Sequence, residues 1–110
     1  MASVYKILGQ ARPTDTNALD LYTVPAGGQT VISTIIVANV TGTDAAFDLF
    51  ARPDAATADE GTAIAFGTVI KSNTSQSITI GATVDAADVV SVRSATANAI
   101  TFTAFGLEIA

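Results

Sequence analysis

The chain has 110 residues without cysteine, histidine or tryptophan, and its ten acidic and five basic residues leave a net charge of −5. Disulfide staples, thiol chemistry, Cys/His zinc sites and the commonest general base are thereby removed together, and the acidic balance disfavours nucleic acid as a partner. Only 14% of residues are charged against 49% hydrophobic, where an ordinary soluble domain carries about 25% charged, so part of the surface is expected to face another molecule.

The length suits one domain, residues 1–110, with a folded surface near ~5,700 Å². Residues 3–9 alternate Val4, Lys6 and Leu8 against Tyr5 and Ile7 and predict a first strand or extended arm. Residues 10–17, with Arg12-Pro13-Thr14-Asp15, predict a loop, so that 1–17 reads as a strand or arm plus loop. Leu19 and Leu21 alternate with Asp20 and Tyr22 in a second strand, which ends at Pro25-Ala26-Gly27-Gly28. That turn is expected to close a hairpin with the next strand.

The next strand, 30–40, has no Gly, Pro or charge, and eight of its eleven residues are Val, Ile or Thr. At period two, one face carries Ile32, Thr34 and Ile36 and the other Val31, Ile35 and Val37, so both faces are apolar and both are expected to be covered. Residues 46–51 form a strand with Phe47 and Leu49 toward the core. Pro53 closes it, and 54–61 is an irregular segment too short and aperiodic for a stable helix. The strand at 62–71 places Ile64, Phe66 and Ile70 on one face and small residues on the other. The strand at 76–82 reads as half solvated. Asp85-Ala86-Ala87-Asp88 is a turn with an acceptor side chain at its first position, followed by a strand at 89–93. In the last strand, Ile100 and Phe102 differ in parity from Phe105, Leu107 and Ile109, which predicts a bulge near residues 103–106.

Eight short strands with regularly spaced turns predict an all-β fold, an antiparallel β-sandwich of jelly-roll or immunoglobulin-like topology. Division into two sheets of four favours the jelly roll. Ile32, Ile36, Phe47, Leu49, Val90, Val92, Ile100 and Phe102 are the expected core, and all five Phe are read as core rather than as a sugar-stacking platform. No secretory signal or membrane-length apolar run is present in the sequence, so synthesis and folding in a cytoplasm are expected. The sequons at Asn39 and Asn73 then need not be glycosylated.

Chemistry-bearing patterns are sparse. A serine nucleophile lacks a base and a Gly-x-Ser-x-Gly elbow, and the Asp59-Glu60 and Asp85/Asp88 pairs lack the alternate spacing of a calcium loop. The expectation is therefore no catalysis, no cofactor and no metal. Arg12, Arg52 and Arg93 would suit a partner's carboxylates, although an arginine at a strand end is ordinarily solvated.

The succession Leu21-Tyr22-Thr23-Val24-Pro25-Ala26-Gly27, then residues 31–39, then Asp88-Val89-Val90-Ser91-Val92, then 102–109 ending in Gly106-Leu107-Glu108-Ile109, resembles small all-β virion proteins of tailed bacteriophages, of the capsid decoration (cement) type. The resemblance runs from Tyr5 to the end and rests on strand and turn patterns. It implies a structural protein on the capsid exterior, made in a bacterial host's cytoplasm, that binds the major capsid protein and stabilises the head. The alternative is a tail- or fibre-associated module that binds a host-surface glycan or adapts tail parts. A homo-oligomer is expected, a trimer above others, with no membrane and no nucleic acid among its partners. The residues singled out for partner contact are Val4, Tyr5, Lys6, Arg12, Val31, Ile35 and Val37. The segment 2–12 is expected either to pair with the carboxyl-terminal strand or to add to a neighbouring subunit.

Overall fold

A computed structural model describes residues 3–109. It contains eight strands: β1 (Ser3–Ala11), β2 (Leu19–Thr23), β3 (Gln29–Asn39), β4 (Ala45–Arg52), β5 (Ala63–Ile70), β6 (Ser75–Asp85), β7 (Val89–Ser94) and β8 (Ile100–Ile109). Two short 3-10 turns, Pro53–Ala55 and Glu60–Thr62, are its only helical pieces among the described residues, and no helix is long and apolar enough to cross a membrane.

The strands form two four-stranded sheets, ordered β1-β8-β3-β6 and β2-β7-β4-β5, with every pairing antiparallel. First pairs with eighth, second with seventh, third with sixth and fourth with fifth. A single long ribbon folded at its middle and wound across two sheets produces that nesting, which is the jelly roll. The solvent-accessible surface is 5610 Å², as the scaling law requires of a compact chain of this length.

β1 is thus an integral edge strand, paired with β8 from Ser3↔Ile109 to Ala11↔Phe102. The intramolecular alternative for this segment is the one observed. The expected hairpin between β2 and β3 is not. These strands lie in different sheets, and the Pro25–Gly28 turn carries the chain from one to the other. Its Gly28 amide donates to the Pro25 carbonyl at 3.1 Å, and Gly27 takes φ +77°, the left-handed position of a type II turn.

The expected bulge in β8 is also displaced. Ile100, Phe102, Ala104 and Gly106 point inward without interruption and are all buried, while Phe105 points out. The extra residues sit on the neighbours: Leu8 in β1, Ser33 in β3 and Gly81 in β6, all at the level of Phe105 and Gly106. Inserting one residue flips the side-chain parity beyond it. Ile32 is inward before Ser33, and Ile35 and Val37 are inward after it, each fully buried. Ile36 is therefore turned outward and half-buried, contrary to its expected place in the core. The other expected core residues are buried as read. Phe66 and Phe105 are not, and Ile64 joins them on the outside.

Where the coiled sheet bends, small residues permit close backbone approach. A Cβ on Gly106 would overlap the Val31 carbonyl oxygen, and one on Gly9 would overlap that of Leu21, where β1 meets β2 at the corner between the sheets. At the other end of β3, Asn39 is buried and fully bonded. Its Nδ2 donates to the carbonyls of Thr43 (2.8 Å) and Ile70 (3.0 Å), and its Oδ1 accepts from the Thr41 amide and hydroxyl. With both amide atoms engaged inside the fold, this sequon has no room for a glycan.

Chemical denaturation checks the parity. Ile35→Ala should cost about 2–5 kcal/mol, whereas Ile36→Ala on the outer face should cost less than about 1.5 kcal/mol. Because β1 completes its sheet, deleting residues 2–8 should lower the thermal midpoint sharply rather than leave an intact body.

Candidate functional site: an uncharged sheet face

A sheet residue's cross-strand neighbours share its face, so the registers define the outer face of β1-β8-β3-β6. One row is Tyr5, Leu107, Val31 and Thr83; the next is Ile7, Phe105, Thr34 and Thr79; the third is Gln10, Thr103, Ile36 and Ser77; the fourth adds Thr101, Ala38 and Ser75. No charged residue occurs in these four rows, and Asp85 first appears beyond them, at the end of β6. The apolar side chains gather toward β1 and β8, and hydroxyls cover β6. Tyr5, Ile7, Val31, Phe105 and Leu107 line an open groove of about 650 Å³. Tyr5 is 84% and Ile7 57% exposed, so these large side chains form a contiguous exposed patch on one face rather than scattered surface hydrophobes.

The opposite sheet differs. On its outer face, Arg52 Nη1 reaches Asp20 Oδ1 at 2.8 Å with the Ser91 hydroxyl between them, and Arg93 Nη1 meets Asp48 Oδ2 at 3.0 Å. Asp48 Oδ1 also accepts from the Gly67 amide at 2.8 Å. Two of the arginines considered for a partner's carboxylates are thus paired within the chain. Phe50 also points to this side yet is buried, because the 53–62 segment folds back so that its short turns lie against β4 and β7.

Between the sheets, one end of the sandwich is closed by polar groups. The Tyr22 hydroxyl crosses from β2 to Thr30 Oγ1 (2.8 Å) and donates to Glu108 Oε2, while Lys6 Nζ donates to Glu108 Oε1 at 3.0 Å. Burial is the main cause that pushes the Tyr22 phenol up to about 12, with the hydrogen bond to Glu108 adding to it. Glu108 is held below the usual carboxylate range, first by the Tyr22 hydroxyl and then by Lys6. Asp88 is lowered as well, because the amides of Asp54 and Asp85 both donate to it and tie the irregular segment to the β6–β7 turn. In that turn Asp85 Oδ1 accepts from the Ala86 amide, as its position in the sequence predicts.

The residues singled out from the sequence are therefore dispersed. Tyr5 and Val31 meet in the groove, with Lys6 at its margin. Val4, one residue from Tyr5, is exposed but projects to the other side of the sheet. Arg12 lies past the far end of β1, roughly 20 Å along the strand from Tyr5. Ile35 and Val37 are fully buried and unavailable to any partner; the extra residue at Ser33 turned them inward. Ile7, Phe105 and Leu107 were missed. Ile7 shares parity with Tyr5, which signals its side, whereas Phe105 and Leu107 read as core only if the extra residue lies in their own strand, and it lies in the neighbours instead. Among the described residues no cluster of acidic side chains is arranged to hold a metal ion. No family model matches the chain, and no curated protein matches it.

The Tyr22–Glu108 bond has a pH signature. A phenol whose folded pKa exceeds its unfolded value near 10 contributes stability that is complete below about pH 10 and is lost as pH rises through about 12. Glu108 does the converse, contributing above the usual carboxylate range and losing its contribution as pH falls through its lowered value. Tyr22→Phe should cost about 1–3 kcal/mol at neutral pH, remove the alkaline loss, and raise the Glu108 titration midpoint observed by NMR.

Proposed function

We propose that this chain is a structural virion protein, a capsid decoration protein that seats the uncharged outer face of β1-β8-β3-β6 against the assembled major capsid protein. That face is the observation that carries the reading. A large partner can cover Tyr5, Ile7, Val31, Phe105 and Leu107 without stranding a desolvated charge, which would cost several kcal/mol. The hydroxyl-bearing rim along β6 offers hydrogen bonds to a partner's backbone, giving an apolar centre and a polar rim. The paired charges on the other outer face suit the side turned to solvent. The resemblance of the strand and turn patterns to virion proteins supplies the identity of the partner, since a jelly roll alone hosts many functions.

In this reading the protein performs no chemistry and holds no cofactor. It is a rigid wedge that binds sites present in the assembled lattice and absent from separated subunits, so occupancy stabilises the shell by mass action.

Two measurements test it. On purified particles the copy number should be on the order of hundreds, following the lattice symmetry; a handful of copies would assign the chain to the tail instead. On particles assembled without it, added protein should bind and raise the shell's disruption temperature. Tyr5→Asp and Ile7→Asp should each abolish that binding while changing the stability of the free protein by no more than about 0.5 kcal/mol, as exposed substitutions do. Binding that survives both variants would sink the assignment of this face.

A further inference from the structure

On the outer face of the β2-β7-β4-β5 sheet, one large apolar side chain is hidden by a segment that is itself barely held. Leu49, Val90 and Val92 point into the core, so Phe50 and Ser91, paired across β4 and β7, point outward. Both are nonetheless buried, beneath residues 53–62, whose two short turns lie against β7 and β4. No residue of either turn is buried in return. The segment is a strap laid over Phe50 without an apolar anchor of its own.

Its backbone is strained and its tethers are few. The Ala56 amide donates to the Pro53 carbonyl at 3.0 Å, with Asp54 at φ +51° and Ala55 at φ +58° between them. Both central residues of this turn are left-handed, a conformation that favours glycine or asparagine and penalises alanine. Such strain persists only while the surroundings hold it. Here the Asp54 amide donates to Asp88 Oδ1 at 3.0 Å, and the Arg52 guanidinium donates to the carbonyls of Ala55 and Ala56. Arg52 adjoins the strap in sequence, so among the described residues Asp88 is the one side chain from elsewhere in the fold that hydrogen-bonds to it. The bonds around Asp59 and Thr62 are internal to the segment. Few buried contacts and solvent-exposed hydrogen bonds place a segment at the low-stability end of a fold.

We propose that residues 53–62 open as a unit while the sandwich stays folded, uncovering Phe50, and that the Asp88 carboxylate is the latch that holds them shut. Opening relieves the two left-handed residues, and the freed backbone groups meet water rather than a dry interior. It releases the Arg52 guanidinium from two of its acceptors. It also joins Phe50 to the exposed Ile64 and Phe66, which meet the strap at Glu60 around a shallow pocket of about 330 Å³. A face lined with paired charges when closed becomes partly apolar when open. The strap lies on the sheet opposite the groove and does not depend on how the groove is used.

Native-state proteolysis of the full chain tests it. The sequence has two glutamates, Glu60 in the strap and Glu108 in a central strand, so a Glu-specific protease reads local and global opening in one digest. Cleavage follows the population of the open state when reclosing is fast. The Glu60 cut should be the faster and change little with sub-denaturing urea, whereas the Glu108 cut should rise steeply, since urea sensitivity scales with the surface exposed. Asp88→Ala should speed the Glu60 cut about tenfold, with a smaller change at Glu108. Ala55→Gly, which relieves strain in the closed state, should slow the Glu60 cut several-fold, an effect no misfolded variant gives. The chain has no cysteine, so the thiol introduced by Ser91→Cys reports the uncovering directly. Its labelling should speed up when Asp88→Ala is added, whereas labelling of Ser94→Cys, buried on the core side of β7, should not. The proposal is overturned if the Glu60 cut shares the urea dependence of the Glu108 cut, if Asp88→Ala leaves it unchanged, or if the Ser91→Cys thiol stays protected while Glu60 is cut.

Discussion

The structure depends on one line of backbone irregularity that crosses the β1-β8-β3-β6 sheet at Leu8, Phe105/Gly106, Ser33 and Gly81. With no cysteine to staple it, the fold relies on the hydrogen-bonded ladder and on side-chain packing, and this line keeps the two compatible. It coils the sheet enough to close over the core. It also resets parity in β1, β3 and β6 together while β8 runs straight through. On one side of the line β3 sends Val31 out, and on the other it sends Ile35 and Val37 in. The apolar groove sits at the line itself, where Ile7 and Phe105 face outward in one row. The device that lets the sandwich bury one apolar set thus leaves another outside.

The two outer faces divide labour. One uses its charges internally: the Asp20–Arg52 pair, with Asp20 exposed, is worth little to stability in water, whereas Arg93 compensates the buried carboxylate of Asp48. The other has no charge in four consecutive rows. A protein with few charged residues had a choice of where to place them, and here the distribution is one-sided. The Tyr22–Thr30–Glu108–Lys6 chain lies between these regimes. It joins β2, β3, β8 and β1, and so locks the two sheets at the end of the sandwich nearest the groove.

Much of this was legible in the sequence. Strand number, most strand limits and the two-sheet architecture followed from alternation and turn residues, whereas of the second face read for the 30–40 strand only Val31 lies outside and Ile35 and Val37 are buried. What was not legible was the location of the bulges. A mismatch in parity between Ile100/Phe102 and Phe105/Leu107 shows that an inward and an outward set exist. It does not show whether the strand itself has an extra residue or whether both sets are real and face opposite ways. Ser33 and Gly81 carry no stronger bulge signal than other small polar residues. The single misplacement moved Ile35 and Val37 from the core to the surface on paper and hid Phe105 and Leu107 from the site. The pairing of β2 is hidden for a related reason: a type II turn has the same residues whether it closes a hairpin or carries a chain between sheets.

The nested pairing has a consequence for synthesis. A nascent chain emerges from its amino end, but β8, made last of these eight strands, occupies the slot between β1 and β3 and bonds to both along their lengths. Until it arrives, β1 has no partner in the sheet, and β3 lacks the inward Phe102 and Ala104 that lie beside its Ile35 and Val37 in the core. The inner pair, β4 with β5, can close a short loop early. Each further layer encloses a longer one, at an entropic cost that grows slowly but steadily. Folding of the sandwich therefore completes only after β8 has emerged from the ribosome. In the interval one edge of β3 stands open, so the time between the emergence of β3 and the arrival of β8, rather than the stability of the finished sandwich, is when this chain is most exposed to aggregation.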